Sequence, residues 1–270
     1  MTIHTALLQG QQLLEKADIP APRLNAEVLL AHAVGRDRAW LFAHSDEELR
    51  EVWWIHFGRY LHERMQGKPT QHITGAQEFY GRRFRVTSDV LIPRPETEHV
   101  IETALQRKAY RVVDIGTGSG AIAVTLALET GARVVGTDIS PAALRVAAAN
   151  ALGSQVRWLA CDLGSALAAG RFDLVVSNPP YVARRDKPTL QREVRDHEPE
   201  IALYGGDDGL DLYRRLIPEA ERLLAPEGRL VMEIGSASAG EVGAMLHRWT
   251  AVQVQQDLAG LPRVISAQRP

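Results

Sequence analysis

Thiols are almost absent: Cys161 is the one cysteine in 270 residues. That excludes an internal disulfide and any zinc site built from several thiolates, and it fits a reducing, cytoplasmic setting. Lysine is scarce as well, four against 27 arginines; with abundant alanine this reads as a compositional bias rather than a functional signal. No apolar run approaches the ~20 residues that span a bilayer, and residues 1–12 lack the charged head and apolar stretch of a signal peptide. The expectation is a soluble protein with no membrane partner. Excess positive charge is missing too. Lys and Arg total 31, Asp and Glu 33, and the net charge is −2, so nothing imposes a nucleic-acid partner, although a local basic patch stays compatible with one. The nine histidines show no telling spacing with carboxylates, and no metal is expected.

What is present describes a folded protein: 45% hydrophobic and 24% charged residues, in a length suited to one large domain or a large and a small one. The first ~70 residues read as helices. Leu7, Leu8, Leu13 and Leu14 form one amphipathic pattern, broken at Ile19-Pro20-Ala21-Pro22. Leu24, Val28, Leu29 and Ala33 form a second, ended by Gly35. Ser45 with Glu48 matches a capping box and predicts a third helix running toward Arg64, with Trp53 and Trp54 at its core and rim. Residues 78–86 alternate as a short hairpin with Gly81 at the turn. The block Leu91-Ile92-Pro93-Arg94-Pro95-Glu96-Thr97-Glu98 cannot be regular helix, and a helix carrying Val100, Ile101, Ala104 and Leu105 should follow it.

From Arg111 the pattern alternates. Strands are predicted at 111–115, 133–137, 156–160, 172–177 and 228–234, and helices near 120–129, 141–152 and 210–224. Such alternation implies a parallel sheet covered on both faces. Strand-like runs at 251–257 and 263–268 are joined by Gly260-Leu261-Pro262, too short for a helical crossover, so they should pair antiparallel. The predicted division is 1–73 helical, 74–90 hairpin linker, 91–270 α/β.

The first strand hands over to a helix through Gly116-Thr117-Gly118-Ser119-Gly120. Glycines there let backbone press against a ligand and turn sharply. Asp138 ends the second strand, where a carboxylate can accept both hydroxyls of a ribose. NAD also satisfies this pair. Asp114, just before the glycines, is better suited to a cofactor amino group, which favours S-adenosyl-L-methionine. Cys161-Asp162-Leu163 ends the third strand; Asp162 suits either an adenine amino group or a helix N-cap, and Leu163 can cover the ring.

Asn178-Pro179-Pro180-Tyr181 follows the fourth strand, at the edge where ligands collect in such sheets. An amide nitrogen is a poor nucleophile because its lone pair is delocalised. The Asn178 side-chain oxygen and the Pro179 carbonyl can accept its two hydrogens, the two prolines stiffen that carbonyl's direction, and Tyr181 can stack on the flat group. Catalysis is then chiefly positioning for an in-line transfer. The same elbow suits an exocyclic amine of DNA or RNA, and a cofactor-binding scaffold without turnover is the reading from another class. Arg94 can pair with Glu96, Arg184-Arg185-Asp186-Lys187 reads as a solvated loop face, and the long charged stretch between Tyr181 and Gly209 is expected to order only with a partner.

Taken together, the helical module, the Phe79-Tyr80-Gly81 hairpin, the 91–98 block, Asp114 through Ala121, Val176 through Tyr181, and Glu198-Pro199 with Leu203 resemble the PrmC/HemK family over nearly the whole chain. These are the glutamine-N5 methyltransferases of peptide-chain release factors. The resemblance implies a Rossmann-like class I methyltransferase sheet of seven strands, the last antiparallel, behind a small helical substrate-docking domain. It implies S-adenosyl-L-methionine contacts from Gly116, Thr117, Gly118, Ser119, Gly120, Asp138, Leu163 and Asn178. It also implies a substrate glutamine, in the Gly-Gly-Gln loop of class 1 release factors, held by Asn178, Pro179, Pro180 and Tyr181, with the protein acting as a monomer. The family usually carries an aromatic residue at the Leu163 position, so adenine would be covered here without π-stacking.

Overall fold

The computed structural model describes residues 1–151 and 153–270. The chain divides into two compact units, Met1–Ala76 with Gln191–His197, and Gln77–Leu190 with Glu198–Pro270.

The first unit is helical. α1 (Ile3–Lys16) starts at Thr2, whose hydroxyl accepts from the Thr5 amide. Its buried stripe is Ile3, Ala6, Gly10 and Leu14, one residue per turn, so Leu8 and Leu13 of the predicted face point to solvent. α2 (Pro22–Val34) opens with proline at N1 and ends at Gly35 in the left-handed region. α3 (Arg38–Ala43) is capped by Asp37 and was not anticipated. The predicted capping box does not exist: Ser45 lies in a turn, Glu48 bridges to Thr2, and α4 (Glu51–Met65) starts from Arg50 without a side-chain cap. The pairing with Thr2 takes the backbone around Glu48 out of helical geometry, so local capping chemistry lost to a tertiary contact. Leu29, Leu30, Leu41, Phe57 and Leu61 join Ile3 and Leu14 in one dry core. Each large side chain buried there contributes ~1.5–3 kcal/mol. α5 (Thr70–Thr74) and the later α9 (Arg192–His197) complete it. The buried Arg64 guanidinium, with an ion pair to Glu193 and a hydrogen bond to Asn25, ties α9 into it.

The second unit begins inside the hairpin of β1 (Ala76–Phe79) and β2 (Arg82–Arg85), at Gln77. Tyr80 and Gly81 both adopt positive φ, +50° and +70°, as a tight two-residue hairpin turn requires. A short 3-10 turn (Pro95–Thr97) leads into α6 (Glu98–Leu105). Then follow β3 (Arg111–Ile115), α7 (Ala121–Thr130), β4 (Arg133–Asp138), α8 (Pro141–Asn150), β5 (Arg157–Ala160) and β6 (Phe172–Ser177). The predicted end of α8 at Leu152 lies outside the described residues. After α10 (Glu200–Leu203) come α11 (Asp211–Leu223), β7 (Leu224–Glu233), α12 (Ala239–Met245), β8 (Thr250–Gln256) and β9 (Pro262–Gln268).

The strand order is β5-β4-β3-β6-β7-β9-β8. β5 through β7 run parallel, and β9 is antiparallel to both of its neighbours. One face carries the core around Val113, Val175, Tyr213 and Leu230, and the other that around Val112, Ile122, Leu174 and Val231. Adjacent strand residues thus serve opposite cores, which is why these strands read as unbroken apolar runs.

Candidate active site

The loops leaving β3, β4, β5 and β6 meet at the carboxyl edge of the sheet around a crevice of about 500 Å³. Order reverses there, β4 and β6 flanking β3 on either side, so the loops diverge and leave space between them. The volume falls in the ~300–1,000 Å³ range of small-molecule sites.

The glycine loop forms because the Gly116 and Thr117 amides both donate to the Thr137 carbonyl, 2.9 Å each, folding the chain back over β4. Gly116 and Gly118 hold φ of +72° and +55°. A Cβ on either would meet no protein atom within 4 Å, so the space they bound is free for a ligand. Both line the crevice, as do Thr117 and Ser119. Gly120 does not. A Cβ there would lie 3.0 Å from Trp158 and 3.1 Å from Ala147, so this glycine serves the close seating of α7. Asp138 lines the crevice, and its two carboxylate oxygens accept from the Gly118 and Ser140 amides at 2.9 Å each. Each oxygen keeps a lone pair for a further donor. A glycine cradle, free acceptors at a strand end and an apolar Leu163 alongside fit the ribose and adenine of S-adenosylmethionine.

Asp114 departs from expectation. It is fully buried and absent from the crevice wall; its Oδ2 accepts from the Thr117 hydroxyl at 2.6 Å and the Ala123 amide at 3.2 Å. Through Oδ2 it braces the glycine loop from beneath, while its buried Oδ1 has no hydrogen-bond partner among the described residues. Burial pushes its carboxyl from 3.8 up to about 7. Between pH 4 and 7 the folded chain therefore retains a proton that the unfolded chain releases, and stability falls as pH rises through that window and levels off above it. We predict that Asp114→Asn, which cannot ionise, gains stability relative to the parent by roughly 3 kcal/mol between pH 5 and pH 8. Urea unfolding at the two pH values measures this; a pH-independent difference between the two proteins refutes it.

Asp162 also differs from one expectation. No helix follows it, so it caps nothing; it lines the crevice and pairs with Arg215 at 2.5 Å. Leu163 lines the crevice with φ +51°, a conformation unusual for a branched side chain. Arg94 pairs with Glu198, not Glu96, and Glu198 also accepts from the Ile92 amide at 3.2 Å.

In the elbow, Asn178, Pro179 and Pro180 all lie on the crevice wall. Tyr181 is not on the wall. Its hydroxyl donates to Glu233 at 3.1 Å, and its ring sits where a Cβ on Gly235 would be 3.2 Å away. Burial and the neighbouring Glu233 hold its phenol well above the usual range. Through its hydroxyl Tyr181 fixes the end of the elbow against β7. The wall's charged residues are Asp89, Asp138, Asp162 and Glu200 with Arg184 and Arg215.

Three further features complete the site. Thr97 joins Asn178 to Glu233 through its hydroxyl. Glu233, at the end of β7, is 2% exposed, and an acid closing an otherwise apolar strand was the available signal. The run Gly205-Gly206-Asp207-Asp208-Gly209 folds under the elbow: the Gly205 amide donates to the Val182 carbonyl at 3.0 Å, and the Arg184 amide to the Gly206 carbonyl at 3.0 Å. Three glycines in five residues signalled a close backbone approach. The stretch after Tyr181 is also more regular than expected, with a 3-10 turn (Arg184–Thr189), α9 and α10.

This fold and crevice define a methyltransferase of the doubly wound, S-adenosylmethionine-dependent class. The chain superimposes with a TM-score of 0.56 on a solved methyltransferase from Pyrococcus furiosus, covering 77% of this chain and 98% of that one at 17% identity. Residues 5–75 match the PrmC N-terminal domain, and residues 95–196 the Methyltransferase small domain. A release factor glutamine methyltransferase of Koribacter versatilis is 45% identical over 100% of this chain and 99% of its own length. One from Nitratidesulfovibrio vulgaris is 41% identical over 99% and 95%. The chain belongs to the release factor glutamine methyltransferase family.

Proposed function

We propose that the chain transfers a methyl group from S-adenosyl-L-methionine to the side-chain amide N5 of the glutamine in the Gly-Gly-Gln motif of class 1 peptide-chain release factors. One observation carries this: the Asn178-Pro179-Pro180 elbow shares a single crevice with the glycine loop and Asp138. The bound cofactor supplies an electrophilic methyl group. Gly116, Thr117, Gly118 and Ser119 accommodate it against bare backbone, Asp138 accepts the ribose hydroxyls, and Leu163 covers the adenine. The Asn178 oxygen and the Pro179 carbonyl accept the two amide hydrogens and fix the nitrogen for in-line attack. Pro180 shapes the pocket and Tyr181 steadies the elbow. Surplus positive charge is not needed for a protein acceptor, which agrees with the wall's four acids and two arginines. The helical residues 1–73 dock a second part of the release factor, residues 74–90 link, and 91–270 carry the chemistry.

Purified protein with radiolabelled S-adenosylmethionine and a release factor tests the proposal. Label should enter the factor and vanish when its Gly-Gly-Gln glutamine is changed to alanine. Label that persists in that variant, or enters RNA instead, sinks it.

A further inference from the structure

Asn178 ends in an oxygen and an NH2 group of nearly the same shape, and a half-turn about its last bond exchanges an acceptor for a donor. Only the oxygen can take a hydrogen from a substrate amide. We propose that Thr97 and Glu233 form a positioning relay that commits the Asn178 NH2 inward and leaves its oxygen for the substrate. The inference rests on the amide-methylating function proposed above.

The relay follows from which groups can donate. Glu233 is 2% exposed, and its Oε1 and Oε2 accept from the Tyr181 hydroxyl at 3.1 Å and the Thr97 hydroxyl at 2.6 Å. In the charged form that the two hydroxyls and Arg263 favour, Glu233 accepts from both and has no hydrogen to give. The Thr97 hydroxyl owns one hydrogen, and Glu233 takes it. What Thr97 can offer Asn178 is therefore a lone pair, and the partner it finds at 3.0 Å is Nδ2. The reverse orientation would place the asparagine oxygen against a hydroxyl oxygen with no hydrogen left between them. Burial, and next Glu96, push the Glu233 carboxyl up, while the Thr97 and Tyr181 hydroxyls and Arg263 favour its charged form; the Tyr213 hydroxyl donates to the Glu233 backbone carbonyl at 3.2 Å. Thr97 lines the crevice and Glu233 does not, so the carboxylate acts on the substrate only through its neighbours. The relay also gives Tyr181 a role suited to its place behind the elbow, because its hydroxyl occupies the second carboxylate oxygen and orients the first toward Thr97.

The test combines kinetics and NMR on the full chain, with a release factor as substrate. In the substrate-free wild type, the Asn178 side-chain NH2 should show NOE contacts to the Thr97 side chain. Thr97→Val removes the hydroxyl while keeping its shape; kcat should fall about 10- to 100-fold, with KM for the release factor and S-adenosylhomocysteine affinity within about twofold. Thr97→Ser should recover most of that loss. Glu233→Gln offers an oxygen and an NH2, no longer dictates the sense of the chain, and should lower kcat at least ~10-fold. Missing NOE contacts in the wild type, or Thr97→Val with unchanged kcat and raised KM, would overturn the relay. A wild type that never methylates the factor overturns the substrate assignment instead, and the NOE measurement still decides the Asn178 orientation.

Discussion

Asn178→Ala should lower turnover about 100- to 1,000-fold and leave S-adenosylhomocysteine affinity within about threefold. The size follows from what one preorganised polar group contributes in a site where little else activates the nucleophile: removing a single such partner costs ~10²–10³ in kcat in comparable cases. The asymmetry follows from geometry. Four other stretches of the wall, after β3, β4 and β5 and at residues 89–91, bound the crevice without Asn178, whereas the proposed amide site depends on its oxygen. Calorimetric titration with S-adenosylhomocysteine, beside single-turnover methylation, separates the two effects. If affinity and rate drop by the same factor, Asn178 is chiefly a cofactor ligand and the proposed division of labour is wrong.

Gly209→Ala should be the most damaging single-methyl substitution near the elbow. Gly209 has φ +81°, and a Cβ there would sit 2.4 Å from the Tyr181 carbonyl oxygen. That atom is backbone, so relief requires moving the elbow itself. The left-handed conformation adds ~1 kcal/mol and overpacking a further ~1–3 kcal/mol. Turnover should suffer more than stability, because a displacement of about 1 Å in a positioning site can cost ~10²-fold in rate. Gly260→Ala is the matched comparison: φ is +77°, but nothing lies within 4 Å of the added methyl. It should cost about 1 kcal/mol with kcat unchanged. Urea unfolding and kcat for both variants decide the matter, and equal kcat values would mean that the 205–209 turn does not hold the elbow.

Elements whose signal is local were legible in advance. The hairpin at Gly81, the helix stop at Gly35, the parallel strands and the antiparallel final pair all follow from turn residues, apolar runs and connection lengths. The Asn178-Pro179-Pro180 elbow and the Gly116–Gly118 cradle belong on one edge because each follows a strand of a parallel sheet. What failed depended on partners distant in sequence. The Ser45–Glu48 capping box gives way to a pairing of Glu48 with Thr2, and Arg94 meets Glu198, 104 residues on, rather than Glu96. Asp114 lies beneath the loop it precedes, held by Thr117 and Ala123.

The sequence by itself determined which residues can do the chemistry, because hydrogen-bonding capacity, backbone freedom and proline stiffness belong to residue types. Only the tertiary structure decided which way they face. Packing set Asp114 under the glycine loop, tied the Tyr181 hydroxyl to Glu233, and brought Thr97 and Glu233, 136 positions apart, into contact beside Asn178. A polar group removed from water must find a partner wherever packing offers one, and that choice depends on the whole fold rather than on neighbours along the chain.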